Sequence, residues 1–361
     1  MKCITVIGAR PQFIKAATIS RLMQKNSMLN EKIIHTGQHY DENMSDVFFS
    51  ELDIPVPDYN LNVGSMSHGA QTGRMVEGIE KILFKESPDC VLVYGDTNST
   101  LSAALVAVKQ HIKVVHVEAG LRSFNKRMPE EINRIVTDHC SDILFVPSEN
   151  SKNNLIHEGI NRDNIFVSGD VMYDAAQYYL KKIDDVQVKK TLGGLQKGNY
   201  ILATIHRAES TEEFSILEGI FQALQEVAKR IEVVIPLHPR TLHILKENGR
   251  YNDLTNGLNV LPPKSYLEML ILEKYSMLIA TDSGGVQKEA FFNKIPCVTL
   301  RTETEWIELV EMEWNIVVPP VNKDIIVDQI LSRTNKKGKD VELYGNGKAA
   351  EFIVNKLLEL N

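Results

Sequence analysis

Along the chain, short apolar runs rich in Val and Ile alternate with longer stretches whose apolar positions recur at helical spacing. The runs fall at 3–8 (CITVIG), 31–37 (EKIIHTG), 90–96 (CVLVYGD), 113–119 (KVVHVEA), 142–148 (DILFVPS) and 164–170 (NIFVSGD). A polar, Lys- and Gly-rich stretch at 181–199 reads as a linker, and the pattern then restarts at 200–206, 232–238, 258–263, 276–282, 295–301 and 314–320. Helical spacing over 11–25, 66–86, 129–141, 212–230 and 284–293 fills the gaps. Strands alternating with long helices predict βαβ units and parallel sheets. Strands apolar along their whole length fit sheets covered on both faces. The expectation is an α/β chain of two Rossmann-like, doubly wound domains facing a central cleft. Residues 1–180 form the first, joined by a C-terminal helix at 345–361, and 181–344 form the second. Two domains also suit a length of 361 residues, because single cores rarely grow past roughly 250–300.

In such folds ligands bind beyond the carboxyl ends of the strands. Asp96, Glu118, His206, His238, Asp282 and Arg301 all stand at or just past the end of a predicted strand. His116 and Glu118 are expected on one face of theirs, since strand side chains alternate.

Bulk properties narrow the function. A formal net charge of -7 excludes a general nucleic-acid binder, which needs a basic surface to displace counterions. No apolar run approaches the roughly 20 residues of a membrane span. The opening MKCITVIGARPQF reads as a strand and a turn, not as a secretory signal. Cys3, Cys90, Cys140 and Cys297 are scattered, which suits buried free thiols in a reducing cytoplasm.

Two turns could hold a nucleotide diphosphate. GARPQFIK (8–15) follows the first strand, with Pro11 at a helix start and Arg10 and Lys15 bracketing the turn. A surface Arg and Lys would look the same. DSGGVQKEA (282–290) carries more information: Ser283, Gly284 and Gly285 can offer hydroxyl and N–H groups at a helix N-terminus, and Glu289 could accept ribose hydroxyls. A plain strand–turn–helix is the alternative. Asp96, Glu118 and Glu130 put three carboxylates near one cleft, and crowding separates the pKa values of such groups into an acid and a base. Glu130, just after Pro129, would otherwise be an ordinary helix-start residue. His206, with Arg207 beside it, could protonate or charge-stabilise a departing phosphate. GxGxxG, P-loop, HExxH, CxxC and GxSxG patterns are all missing, so no redox cofactor, metal or serine nucleophile is expected.

Together these motifs resemble the non-hydrolysing UDP-N-acetylglucosamine 2-epimerases over essentially the whole chain. The matching stretches are GARPQFIK, TGQHY, GDTNST, HVEAGLRS, PEEINR, TIHRAES, TDSGGVQKEA and LRTETEW. The resemblance implies the GT-B fold, a cytoplasmic homodimer, and a role in cell-surface polysaccharide synthesis such as O-antigen. It implies a UDP-sugar substrate and no cofactor. Arg10, Lys15, His206, Ser283, Gly284, Gly285, Glu289 and Arg301 would bind UDP. Asp96, Glu118 and Glu130 would exchange the proton, aided by His206. UDP is eliminated to a 2-acetamidoglucal and re-added after protonation on the other face. Gln38, His39 and Arg207 resemble positions that in some members bind a second, activating UDP-sugar.

The chain departs from the family pattern at three places. Gln12 replaces a glutamate, Trp306 and Ile307 stand where Arg-Pro is usual, and Lys264 and Met269 lie in a segment that elsewhere contacts uracil. These variants resemble the branch acting on UDP-2,3-diacetamido-2,3-dideoxyglucuronate, whose extra acetamido methyl Trp306 could pack on. A GT-B glycosyltransferase and a non-catalytic UDP-sugar sensor are the rival readings.

Overall fold

The computed structural model describes residues 1–38, 54–334 and 336–359, and of Arg10 the backbone only. His39 lies outside the described residues. The chain divides into two units, Met1–Ala175 with Glu342–Asn361, and Ala176–Val341.

The first unit is built on β1 (Lys2–Ile7), β2 (Asn30–His35), β3 (Tyr59–Asn60), β4 (Cys90–Tyr94), β5 (Lys113–Val117), β6 (Ile143–Val146) and β7 (Ile165–Val167). Among the described residues they form one sheet in the order β3-β2-β1-β4-β5-β6-β7, every pair parallel. The second unit carries β8 (Tyr200–Thr204), β9 (Glu232–Pro236), β10 (Asn259–Leu261), β11 (Leu278–Thr281), β12 (Cys297–Thr299) and β13 (Asn315–Val317). These run β10-β9-β8-β11-β12-β13, again parallel. Each order reverses once, between β1 and β4 and between β8 and β11. These are the positions where a doubly wound sheet opens a crevice.

The alternation of side chains explains why these strands read as unbroken apolar runs. In β8, Ile201 and Ala203 join a core with Leu217, Phe221 and Leu224, while Tyr200 and Leu202 join another with Ile271 and Leu272 on the opposite face. In the first unit Ile4, Val6, Val91 and Val93 pack with Met75 and Ile79 of helix His68–Glu86. Cys3, Cys90 and Cys297 are buried and Cys140 is half-buried, all as free thiols.

The stretch at 181–199 differs from the linker expected of it. Asp185–Leu192 is a helix, capped by Asp184 and Gln187 at one end and by Gly193 in the left-handed conformation at the other. Its charged residues are the solvated face, and Val188 and Leu192 are buried in the core beside β8. Most predicted strands are shorter than their apolar runs, because the polar residues after each run already belong to the turns.

Helix Ala349–Glu359 packs on helix Arg10–Met23 within the first unit. It is held by a latch. Gly169 has φ +82°, and a Cβ there would lie 2.7 Å from the Tyr344 carbonyl oxygen, so only glycine fits. The Asp170 N–H donates to that same carbonyl (3.0 Å). The Asp174 carboxylate accepts the Ala350 N–H at 2.7 Å, capping the helix from a distance of 176 residues in sequence. Burial pushes the Asp174 carboxyl up to about 6, against the pull of the Ala350 and Ala349 amides. The folded chain therefore holds a proton that the unfolded chain has released, and this group's contribution is lost as pH rises from the ordinary aspartate range to about 6. Asp174→Asn keeps an oxygen for the amide and removes the charge. Its stability should be less pH-dependent between pH 4 and 7 than wild type, with a gain on the order of 2 kcal/mol at pH 7, read as Tm across that range.

Candidate active site

The polar residues with chemical potential gather in the turns after the central strands of each sheet. After β1 the backbone turns at Gly8, where a Cβ would fall 1.9 Å from Thr36 Oγ1 and 2.3 Å from Ser99 Oγ. Close packing, not a special dihedral, demands glycine here. Gln12, 1 % exposed, saturates its amide: Oε1 accepts the Gly8 and Ala9 N–H groups (2.8 and 3.0 Å), and Nε2 donates to the Tyr94 carbonyl and Thr100 Oγ1 (both 2.9 Å). It thereby ties the turn after β1 to the last residue of β4. A carboxylate has no N–H for that carbonyl, which gives the Gln12 departure a structural reason.

Asp96 follows β4 and pairs with Arg134 (2.5 Å). Glu118 follows β5 and pairs with Lys15 (2.6 Å), both side chains being largely buried. The two pairs meet around Gly95, whose Cβ position lies 3.1 Å from Lys15 Nζ and 3.5 Å from Glu118 Oε1. So the structure brings Lys15, Glu118 and the Asp96 turn together. Asp96 and Glu118 each stand against a cation. Glu118 has φ +68°, a strained left-handed conformation for a non-glycine residue. β5 stops at Val117, so Glu118 does not continue the face of His116 as alternation predicted. His116 is fully buried instead, bonded to Asp138 through Nδ1 (2.8 Å) and to the Gly95 carbonyl through Nε2 (2.7 Å). Burial alone would raise the Asp138 carboxyl, but the His116 hydrogen bond and Arg122 bring it below its usual range. Glu130, in the first turn of helix Pro129–Cys140, is exposed, whereas its neighbour Glu131 is 1 % exposed. Gln38 is half-buried and accepts the Ser99 N–H and hydroxyl (3.0 and 2.7 Å).

In the second unit, the loop after β8 is held by the turn after β11. The buried Asp282 carboxylate accepts the His206 N–H (2.9 and 3.1 Å) and the Arg207 N–H (2.9 Å). The His206 ring stacks on His238 with centroids 5.2 Å apart. Helix Gly284–Phe292 starts at once, with Ser283 as its N-cap and no side-chain cap on its first amides. Gly285 is exposed, with no atom within 4 Å of its Cβ position. Around Gly284 stand Arg207 Nη2, Glu305 Oε2 and Trp306 Nε1, 3.5, 3.7 and 3.9 Å from its Cβ position. Arg301 is buried in a forked contact with Glu305 (3.0 and 3.2 Å), and Arg207 reaches the same carboxylate at 3.6 Å. Trp306 is 4 % exposed and lies over buried Lys288, 4.2 Å from ammonium to ring centre. Glu289 is also buried, against Glu273, whose carboxyl is pushed far up by burial and by the Glu289 charge. Burial beside a second carboxyl favours the protonated form of Glu273. Arg207 and Arg301 share the Glu305 carboxylate beside the start of helix Gly284–Phe292.

The family model for UDP-N-acetylglucosamine 2-epimerase matches residues 21–358. The chain belongs to the UDP-N-acetylglucosamine 2-epimerase family. It is thus an isomerase, and its α/β architecture is the GT-B-like one of the solved family structures. A UDP-N-acetylglucosamine 2-epimerase homologue of Methanococcus maripaludis is 50% identical over the full length of both chains. A UDP-2,3-diacetamido-2,3-dideoxy-D-glucuronate 2-epimerase of Pseudomonas aeruginosa is 47% identical, also over 100% of both. The crystal structure of the Methanocaldococcus jannaschii UDP-GlcNAc 2-epimerase, in complex with UDP-GlcNAc and UDP, superposes with a TM-score of 0.93 at 45% identity, covering 99% of this chain and 100% of that one. Among the described residues of this epimerase-family chain no metal-ligating cluster occurs, and no helix is long and apolar enough to cross a membrane.

Sequence reasoning missed Arg134, Glu131, Glu305 and Asp138, the partners that fix the candidate residues in place. Two of the pairs they form are local in sequence: Glu131–Arg134, i,i+3 inside PEEINR, and Arg301–Glu305, i,i+4 inside LRTETEW; only the first lies on a helix. Asp282→Ala would strip the His206 and Arg207 amides of their acceptor. We expect a loss of about 2–4 kcal/mol in urea unfolding, since the orphaned groups are partly buried.

Proposed function

We propose that this protein is a non-hydrolysing UDP-sugar 2-epimerase that inverts carbon 2 of a UDP-linked N-acetylated amino sugar. Carbon 2 has no adjacent carbonyl, so its hydrogen is not acidic enough for direct removal. The reaction therefore proceeds by elimination: a base takes the C2 proton, the C1–O bond breaks with its electrons leaving on UDP, and a C1=C2 double bond forms. A proton then reaches C2 from the opposite face, and the UDP oxygen returns to C1. Asp96, Glu118 and Glu130 are the proposed acid/base groups. The carrying observation is the meeting of Lys15–Glu118 with the Asp96 turn at the reversal point of the first sheet.

UDP is assigned to the turns of the second unit together with Arg10 and Lys15. Ser283, Gly284, Gly285, Arg301 and His206 would receive the diphosphate as it departs, and Glu289 the ribose. Gln38, His39, Arg207 and Trp306 are assigned to sugar or second-site contacts. The substrate we favour is UDP-2,3-diacetamido-2,3-dideoxyglucuronate over UDP-N-acetylglucosamine, supported by Trp306 and Ile307 in place of Arg-Pro and by the 47% identical Pseudomonas aeruginosa relative. The cytoplasm and a homodimer complete the reading.

Incubation of each UDP-sugar in heavy water tests this. Deuterium at C2 with UDP still attached is expected. Release of free sugar, or no exchange, would sink the epimerase reading, and faster turnover of UDP-N-acetylglucosamine would sink the substrate choice. Gly285→Ala should hold or slightly raise Tm, because the added methyl group points into open space at a helical position. It should weaken UDP binding at least several-fold in calorimetry, by occupying the space over the helix start.

A further inference from the structure

The geometry points to Glu131 as a positioning residue for proton exchange, one buried carboxylate that holds Asp96 in aim and fixes the loop between Glu118 and Glu130. The inference rests on the epimerase reading above and deepens it.

Glu131 is 1 % exposed, yet it belongs to the first turn of helix Pro129–Cys140, where a glutamate is ordinarily solvated. Its two oxygens have separate tasks. Oε1 accepts the Phe124 N–H at 2.9 Å, and Oε2 accepts both the Ser123 N–H and the Ser123 hydroxyl at 2.9 Å. Phe124 is held at φ +58° with its ring 72 % exposed, a conformation that needs such anchoring. Oε2 also takes Arg134 Nη1 at 3.1 Å, and the other arm of that guanidinium, Nη2, binds Asp96 at 2.5 Å. Arg134 is itself 4 % exposed. Asn133, next to it on the helix, donates to the Asp96 carbonyl (2.9 Å). One helix start thus fixes the Asp96 turn from two sides, and one carboxylate links that grip to the segment joining the other two proposed acids.

A helix N-terminus would have been stabilised equally by an exposed glutamate. Burying one against three donors and a guanidinium is sensible where orientation matters, because a planar fork between two carboxylates admits little freedom. Lysine could supply the charge but not the fork.

The test is steady-state epimerisation by the full-length chain with Glu131→Gln and Arg134→Lys, across pH 5–9, alongside UDP calorimetry and Tm. The glutamine amide turns a donor toward one of the backbone N–H groups or toward Arg134. We expect kcat to fall roughly 10- to 100-fold, as misplaced catalytic groups do, while KM and the UDP Kd stay within about two-fold. The acidic limb of the pH profile should move in both variants. Should Glu131→Gln not fold, Arg134→Lys carries the test alone, since it leaves the loop anchors intact. Unchanged kcat and pH profile in the variants would overturn the proposal, as would a kcat loss matched by an equal loss of UDP affinity. Wild-type protein that exchanges no deuterium at C2 would instead overturn the epimerase reading beneath it.

Discussion

A parallel strand covered on both faces admits a polar side chain only where a partner is built in beside it, so most polar side chains fall beyond its ends. β1, β4, β8 and β11 are buried almost throughout, and the polar groups inside strands are paired: Thr5 with Glu31, Thr204 with Thr281, His116 with Asp138. The polar residues therefore collect in the turns at the strands' carboxyl ends, where the adjoining helices also present their N-termini. The order reversals in the two sheets then select which turns lie side by side. Lys15, Gly95 and Asp96 in one unit, and His206, Asp282 and Ser283 in the other, are neighbours as a consequence of packing.

Within those turns, charge is distributed by pairing. Asp96 has Arg134, Glu118 has Lys15, and Glu305 is gripped by Arg301 with Arg207 nearby. Where burial and a neighbouring carboxyl outweigh pairing, the carboxyl is pushed up instead, as Glu273 beside Glu289 illustrates. The two arrangements suit different work: an ion pair holds an acid in aim, whereas a buried carboxyl pushed up avoids charge where charge would be costly.

Much of this was legible in the sequence because it is local. Apolar runs marked the strands, and the diglycine after Asp282 marked a helix start. What escaped was long-range. Lys15 and Glu118 are 103 residues apart, and Arg134 and Asp96 are 38 apart; no pattern announces such partners. His116 was misplaced because Glu118 leaves the strand at a positive φ, which no side-chain alternation foretells. The charged helix Asp185–Leu192 passed for a linker since only Val188 and Leu192 make its buried side. Of two adjacent glutamates, burial separated Glu130 from Glu131, and composition is silent on that.

The latch between Gly169–Asp174 and Tyr344–Ala350 has a bearing on biogenesis. The second unit is one uninterrupted stretch, Ala176–Val341, and can collapse as soon as it clears the ribosome. The first cannot close its helix layer until Ala350 is delivered, although its sheet is translated earliest. During that interval the surface of helix Arg10–Met23 that receives Ala349–Glu359 stays uncovered.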